Sequence, residues 1–217
     1  MKAFIFADLH ASSRQLYNLK EYLKSDGTVN FLIFAGDVVN GGEPIGFVNS
    51  FIEALEEIGL PFFWVPGNND FGRSYHKLNA KYPSLEGKII DFNGMKITGV
   101  GGSPASWAGQ YAGEKMIDKK YIAGSIFVSH TPPPGLLTIV KDDVASQQYN
   151  SGITKHLSDS PLVHICGHFH SRWGCGYLGA TKVINPGSLA DGRYVIMDAD
   201  TLKVEFRRFD YGNSYRV

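Results

Sequence analysis

Cysteine is scarce in this sequence: Cys166 and Cys175 are the two among 217 residues. A disulfide-stapled scaffold needs more pairs, and a structural zinc site needs a second pair of thiolates, so neither organises this fold. The two cysteines flank the segment GHFH at a spacing that would allow a bridge, but in an α/β chain of ordinary composition they read as free thiols. Long apolar runs are also missing. Nothing approaches the ~18 consecutive apolar residues of a membrane-spanning helix, and the opening MKAFIFADLH meets Asp8 too early for the core of a signal peptide. Charge of one sign is not in excess either, since Lys+Arg and Asp+Glu each total 21. A balanced chain carries no basic footprint for long nucleic acid and no polybasic patch for a membrane surface. Attraction for an anionic substrate must then come from a local site. Repeats, low-complexity tracts and linkers are absent as well, and 43% hydrophobic residues mark a globular chain. The expectation is one cytoplasmic domain spanning residues 1–217, with no membrane partner.

What is present is alternation. A strand at about 2–7 leads to a helix at about 12–25, in which Leu16, Leu19, Tyr22 and Leu23 recur at helical spacing and Ser12 or Ser13 is available as a cap. A second strand at about 31–35 precedes Gly41 and Gly42, then a helix at about 44–58 opened by Pro44 and striped by Phe47, Phe51, Ile52 and Leu55. Gly59 ends that helix and a third strand follows at about 62–65. Strands separated by helices imply crossover connections and a parallel sheet. Farther on, KIIDFNGMKITGV reads as a hairpin turning at Asn93–Gly94. Strands at about 125–129 and 161–166 flank a helix near 143–157, TKVIN is a further strand, and RYVIMDADTLKVEFRRF is a closing hairpin. Parallel units first and antiparallel strands later predict an α/β fold of two packed sheets with helices outside.

Five of the apolar runs end in metal-binding side chains. FIFADLH ends in Asp8 and His10, FLIFAGD in Asp37, FFWVPGNND in Asn68, Asn69 and Asp70, SIFVSH in His130, and LVHICGHFH in His168 and His170. Open α/β folds keep their sites at such strand ends. Residues two apart on an extended chain point the same way, so Asp8 with His10, and His168 with His170, can each grip one ion. Asp37 follows the small Gly36, which would let the backbone crowd a metal, and its two oxygens can serve two ions. Asn68 adds a carbonyl oxygen and His130 an imidazole. All these candidate ligands offer N or O and none offers sulfur, which favours Mn, Fe, Co, Ni or Zn with five or six ligands.

Taken in order, DLH, GDVVN, GNND, SH and GHFH resemble the five blocks of the calcineurin-like metallophosphoesterases over about residues 6–172. NPGS at 185–188 resembles a further segment of small bacterial and archaeal members. Singly, D-x-H or G-D carries almost no information; the five together, each behind an apolar strand, are specific. The resemblance implies a four-layer α/β/β/α sandwich, two mixed sheets flanked by helices. It implies that Asp8, His10 and His170 hold one divalent cation, that Asn68, His130 and His168 hold a second, and that Asp37 bridges the two. Manganese leads the candidates, ahead of Fe, Ni, Co or Zn. Such pairs lie ~3.5–4 Å apart and clamp both oxygens of an in-line displacement, so that a metal-activated hydroxide cuts the P–O bond. Two divalent ions against two ligating carboxylates leave a charge of about +2, attractive to a small phosphorylated substrate.

Asn69 departs from the family pattern, because many members resembling this chain carry there a histidine that protonates the leaving group. Asn donates a hydrogen bond but cannot act as a general acid, and losing such a group costs ~10²–10⁴ in rate. A weakly basic leaving alcohol departs unaided, so the weight falls on a phosphodiesterase acting on a small or nucleotide-like diester. Catalytic roles then go to Asp37, Asn69 and Asp70, the last orienting the Asn68–Asn69 turn or a ligating histidine. The alternatives are a phosphomonoesterase or nucleotide hydrolase, and a non-catalytic scaffold on the same fold, as in the retromer subunit that resembles these enzymes. A nuclease for long DNA would bring capping segments and a basic groove. Several residues keep two readings. Asn40 either bonds near the site or shapes a turn, and the 101–111 loop with Trp107 and Tyr111 either walls the substrate or packs on the surface. Arg73 and Arg193 either meet a phosphate or form surface ion pairs. His164 lies about two pleats before His168 and belongs to the core. The oligomeric state stays open, a homo-oligomer included.

Overall fold

Strands that are apolar on both faces must be covered on both faces, and the first sheet of this protein shows how. The computed structural model describes residues 1–41, 45–102, 122–133, 136 and 160–209. Its elements run β1 (Lys2–Phe6), α1 (Ser13–Ser25), β2 (Phe31–Phe34), α2 (Ile45–Ile58), β3 (Phe62–Trp64), α3 (Gly72–Lys81), β4 (Ile89–Phe92), β5 (Met95–Val100), β6 (Ile126–Ser129), β7 (Val163–Ile165), β8 (Gly174–Leu178), β9 (Thr181–Asn185), β10 (Arg193–Asp198) and β11 (Val204–Arg208). The two-residue period of a strand sorts the side chains of β1 and its neighbours into separate cores. Phe4, Phe6, Leu32, Phe34 and Trp64 pack with Leu16 and Leu19 of α1 and Phe47 and Phe51 of α2. Ala3, Ile5, Ile33 and Val65 point the other way and meet Val128, Ile165 and Ile184 of a second sheet. Two mixed sheets flanked by helices form the α/β sandwich of the expected class.

The first sheet has the order β11-β10-β1-β2-β3, with β1, β2 and β3 parallel and β10 antiparallel to β1. The second has the order β4-β5-β6-β7-β9-β8. Here the structure differs from the expectation that the later strands would be antiparallel. β5, β6, β7 and β9 are mutually parallel, and apart from β1–β10 the antiparallel pairs are the tight hairpins β4–β5, β8–β9 and β10–β11. Pairing across crossovers is decided by the two cores, not by the local sequence. Both parallel sets deliver their C-terminal ends to one edge of the molecule, β1, β2 and β3 from one sheet, β6 and β7 from the other.

Local signals mostly act as anticipated. Asn93 and Gly94 take φ of +53° and +82°, the left-handed pair a two-residue hairpin turn requires. Gly59 ends α2 at φ +69°, its N–H donating to the Leu55 carbonyl at 3.0 Å. Ser12 takes the N-cap position of α1, but its side chain makes no capping hydrogen bond. Two elements went unforeseen. α3 buries only Ser74 and Leu78, too thin a stripe to announce a helix, and β8 reads GCGYL, with two glycines in five residues. Pro44, the helix expected near 143–157 and residues 103–111 lie outside the described residues. Cys166 is buried, Cys175 exposed, and both are free thiols. Among the described residues no helix is long and apolar enough to cross a membrane.

Candidate metal centre

Just past β1 and β2 the backbone leaves the extended region. Asp8, His10 and Ala11 have φ of +55°, +48° and +55°, and Asp37 has +64°. A left-handed conformation costs a side-chain-bearing residue roughly 1–2 kcal/mol, so neighbouring groups must hold it. Asp8 N–H donates to the Gly36 carbonyl at 2.8 Å, Leu9 and His10 N–H to that of Asp37 at 2.8 and 3.1 Å, and Ala11 N–H to that of Val38 at 2.8 Å. The loop after β3 closes in from the other side. A Cβ on Gly67 would lie 2.1 Å from Asp37 Oδ1, and one on Gly36 would lie 2.5 Å from Gly67 N and 2.8 Å from His130 Nδ1. Gly36 therefore makes room for a neighbouring loop and an imidazole, where the sequence had suggested room for the cation itself.

Two histidine tautomers follow from their partners. His130 Nδ1 is 2.7 Å from the Ala35 carbonyl, which can only accept, so the neutral ring carries its proton on Nδ1 and leaves Nε2 open. His10 Nδ1 is 2.6 Å from Asn40 Oδ1, and Asn40 Nδ2 donates to the His10 carbonyl at 3.1 Å, which fixes the amide and again leaves Nε2 open. These open nitrogens converge on others. His10 Nε2 is 3.1 Å from His170 Nε2, and the two lie 3.8 and 3.5 Å from Asp8 Oδ1. His130 Nε2 is 3.2 Å from His168 Nδ1, 3.0 Å from Asn68 Oδ1 and 3.5 Å from Asp37 Oδ2. Asp37 Oδ2 is also 3.8 Å from His10 Nε2. The seven residues named as ligands from the sequence thus come together, and the donor atoms of Asp8–His10–His170, and of Asp8–Asp37–His130, all lie within 4.8 Å of one another in each group.

The donor set fits a divalent cation on one direct observation. Asp8 is buried, its Oδ2 accepts from His168 N–H at 3.0 Å, and its Oδ1 has no hydrogen-bond partner at all. Leaving a buried carboxylate oxygen bare is costly; here it faces imidazole nitrogens, the O and N mixture that first-row divalent metals take. The electrostatics agree. Burial pushes Asp37 upward, but His130 and two Asn69 donors outweigh it and hold the carboxyl well below the usual carboxylate range. Burial opposes the charged form of His130, yet Asp37 and Asp8 raise it to about 9. Burial and the neighbouring His130 depress His168 to about 4. His170 is raised, chiefly by its interaction with Asp8. The pocket is acidic and draws positive charge.

Asp70 and Asn69 turn out to serve Asp37. The buried Asp70 carboxylate accepts from Asp37 N–H at 2.7 Å, Gly67 N–H at 2.9 Å and Val38 N–H at 2.9 Å, tying the loop after β2 to the loop after β3. Burial and the adjacent Asp37 raise it to about 6, and it is a third carboxylate that the sequence-based charge count left out. Asn69 donates to Asp37 Oδ1 through its backbone N–H at 2.8 Å and to Oδ2 through Nδ2 at 2.7 Å. Asn40, left between two readings by the sequence, holds the His10 ring. His164 is core, as expected, with Nε2 2.6 Å from Ser129 Oγ. Arg73 and His76 are exposed on α3, whereas Arg193 donates to the His170 carbonyl at 2.8 Å and also lies 3.9 Å from the Asp191 carboxylate. The segment 185–193 also reaches the site. Its NPGS had stood out in the sequence, but composition alone could not say what it would hold.

Comparison with known proteins agrees with the geometry. Residues 1–172 match the calcineurin-like phosphoesterase family. A crystal structure from Thermus thermophilus has a TM-score of 0.68 at 20% identity, covering 95% of this chain and 98% of that one. A dimetal phosphatase from Danio rerio has a TM-score of 0.63 at 11% identity, covering 90% and 91%. At such identities the likeness is one of fold. The Caenorhabditis elegans UPF0046 protein T07D4.2 is 31% identical over 118 residues, a match spanning 49% of this chain and 28% of that protein. With the family match running over most of its length and the ligand types gathered at one sheet edge, the chain belongs to the calcineurin-like phosphoesterases, a family of dinuclear, metal-dependent hydrolases.

Proposed function

We propose that this phosphoesterase is a phosphodiesterase of small or nucleotide-like diesters, built as one domain over residues 1–217. Asp8, His10 and His170 hold one divalent cation, Asn68, His130 and His168 a second, and Asp37 is shared, with manganese the leading ion. The observation that carries this reading is the position of Asp37 Oδ2, within 3.8 Å of His10 Nε2 and 3.5 Å of His130 Nε2, beside the bare Asp8 Oδ1. When bound there, the ions supply Lewis-acid charge for a phosphoryl group and water acidic enough to react near neutral pH.

The chain's own residues do the arranging. Asn40 and the Ala35 carbonyl set the tautomers of His10 and His130. Asn69 steers both oxygens of Asp37, and Asp70 holds the backbone on either side of it. Asn69 has no proton to give at neutral pH, so a good leaving group suits this site better than the strongly basic one of an alkyl monoester. A cytoplasmic setting accords with the two free thiols.

The test compares an aryl phosphodiester with the matching aryl monoester in the presence of Mn²⁺, for wild type and Asn69→His. Wild type should favour the diester, and the histidine should raise monoester turnover by about 10²-fold. A wild type that clearly prefers the monoester would refute the diester reading. Absence of any metal-stimulated hydrolysis would point to a scaffold.

A further inference from the structure

The connection from β9 to β10 leaves one sheet and enters the other, and it does so at the edge where the ligands gather. β9 runs parallel to β7, so its end lies beside the loop that presents His168 and His170; β10 runs antiparallel to β1, so its start lies beside Asp8. The residues between, 185–193, fall beyond the 172 that match the family, and none is a candidate ligand. Their polar groups nevertheless go to the ligand-bearing loops. Asn185 is fully buried; its Nδ2 donates to the Gly167 carbonyl at 3.4 Å and the Phe169 carbonyl at 3.2 Å, on either side of His168, while its Oδ1 accepts from Gly187 N–H at 2.8 Å. Ser188 Oγ donates to the Asp8 carbonyl at 2.9 Å, and Ala190 N–H donates to the same oxygen at 3.0 Å. Arg193 Nη1 donates to the His170 carbonyl at 2.8 Å, its guanidinium steadied 5.1 Å above the Trp173 ring.

We propose that this crossing is a positioning clamp. It fixes the Asp8 loop, carried by one sheet, against the His168–His170 loop, carried by the other, and so sets the affinity of the site for its cations. The inference rests on the metal-centre reading above. Every bond from the clamp to the two loops ends on main chain within one residue of a ligand, and none ends on a donor atom, so the clamp leaves the donors open while fixing where they sit. His168 needs this help, because its φ of +71° is a conformation a free loop would relax. Asn185 suits the task through its chemistry. An amide can give two protons to two carbonyls and accept a third bond, whereas a carboxylate of the same shape would turn oxygen against oxygen.

The test is equilibrium binding of Mn²⁺ to the whole chain, with melting temperature followed in parallel. Wild type should bind two ions. Asn185→Ala takes the donor from both sides of His168 and should weaken both binding events by about 10–100-fold, the usual loss when an outer partner of a ligand is removed. Arg193→Met keeps an apolar stem against Trp173 and loses the donor to His170 together with a 3.9 Å ion pair to the half-exposed Asp191, so one event should weaken by a similar factor while the other stays within about threefold. Arg207→Met, remote on β11, should bind as wild type does. If Asn185→Ala fails to fold, Arg193→Met carries the test alone. Variants that bind Mn²⁺ like the wild type, whatever their melting temperatures, would overturn the clamp and leave the metal centre standing. A wild type that takes up no Mn²⁺ would overturn the centre itself, and the clamp with it.

Discussion

The body of the first sheet and its C-terminal rim are made from the same strands and obey opposite rules. Residues 3–7, which run from β1 to the residue just past it, are fully buried, and their side chains alternate between two apolar cores. In the next four residues, Asp8, His10 and Ala11 are left-handed, and Asp8 and His10 are candidate ligands. The body is held by burial, worth ~1.5–3 kcal/mol for each large side chain. The rim is held by side chains that satisfy other residues' backbone, Asp70 on three N–H groups and Asn185 on two carbonyls. The lesson is a division of labour. A change in the body is expected to show as lost stability, and a change in the rim as lost metal and rate.

Three experiments would break or sharpen that division. The largest effect belongs to Asp37→Ala. Hydrolysis should fall by about 10³-fold or more, as when a principal charge-stabilising group is lost, and bound metal should fall with it. Folding should suffer by less than about 2 kcal/mol, since one of two mutually repelling buried carboxylates is gone. Initial rates, metal analysis and urea denaturation decide the matter, and full activity in this variant would refute the shared role of Asp37. Phe34→Ala is the mirror image. Phe34 is fully buried, with ring centroids of Phe6 and Phe51 4.7 and 5.9 Å away. Its truncation should cost ~3–5 kcal/mol, while the protein that remains folded should bind Mn²⁺ normally. A denaturation midpoint unmoved from wild type would break the division from the body's side.

The smallest effect is a pH response confined to the body. Burial, and then the hydrogen bond to Asp26 Oδ2 at 2.6 Å, hold the Tyr22 phenol un-ionised well above its ordinary value of 10.0. The folded state therefore keeps a proton that the unfolded chain releases as pH passes about 10, and stability must fall with rising pH from there. Tyr22→Phe should cost about 1 kcal/mol at neutral pH for the lost hydrogen bond and should flatten the alkaline decline. Denaturation curves from pH 8 to 12 would show it, and an equally steep decline in the variant would put the responsible group elsewhere.

Much of the site was legible in the sequence because each ligand stands where an apolar run stops. Strand length and period locate Asp8, Asp37, Asn68, His130 and His168, and the order of the blocks supplies the rest. The body was legible for the same reason, down to the hairpin at Asn93–Gly94. What the sequence withheld is partnership across distance. Nothing local tells β10 to pair with β1, or the later strands to run parallel, because those pairings are settled by which faces bury together. The supporting residues were hidden in the same way. Asp70 was noticed, but its partners are backbone N–H groups, and every residue except proline has one. Asn185 and Arg193 act on carbonyls 16 to 23 positions away in the chain. Asn69 was read only as an amide unable to act as a general acid, and nothing local told that this amide would lie on Asp37.

The pairing of β1 with β10 also bears on the order of events during synthesis. β1 ends at Phe6 and β10 begins at Arg193. At ~5–20 residues per second, the ribosome reaches the second roughly 10–40 s after finishing the first. Through that interval one edge of β1 waits without its neighbour, and Asp8 lacks the serine that will tether it. A nascent chain that has grown only to residue 172 already carries every candidate ligand but lacks the segment that bonds to their loops. The bonds through which residues 185–193 join the Asp8 loop to the His168–His170 loop therefore wait for the strands that emerge last.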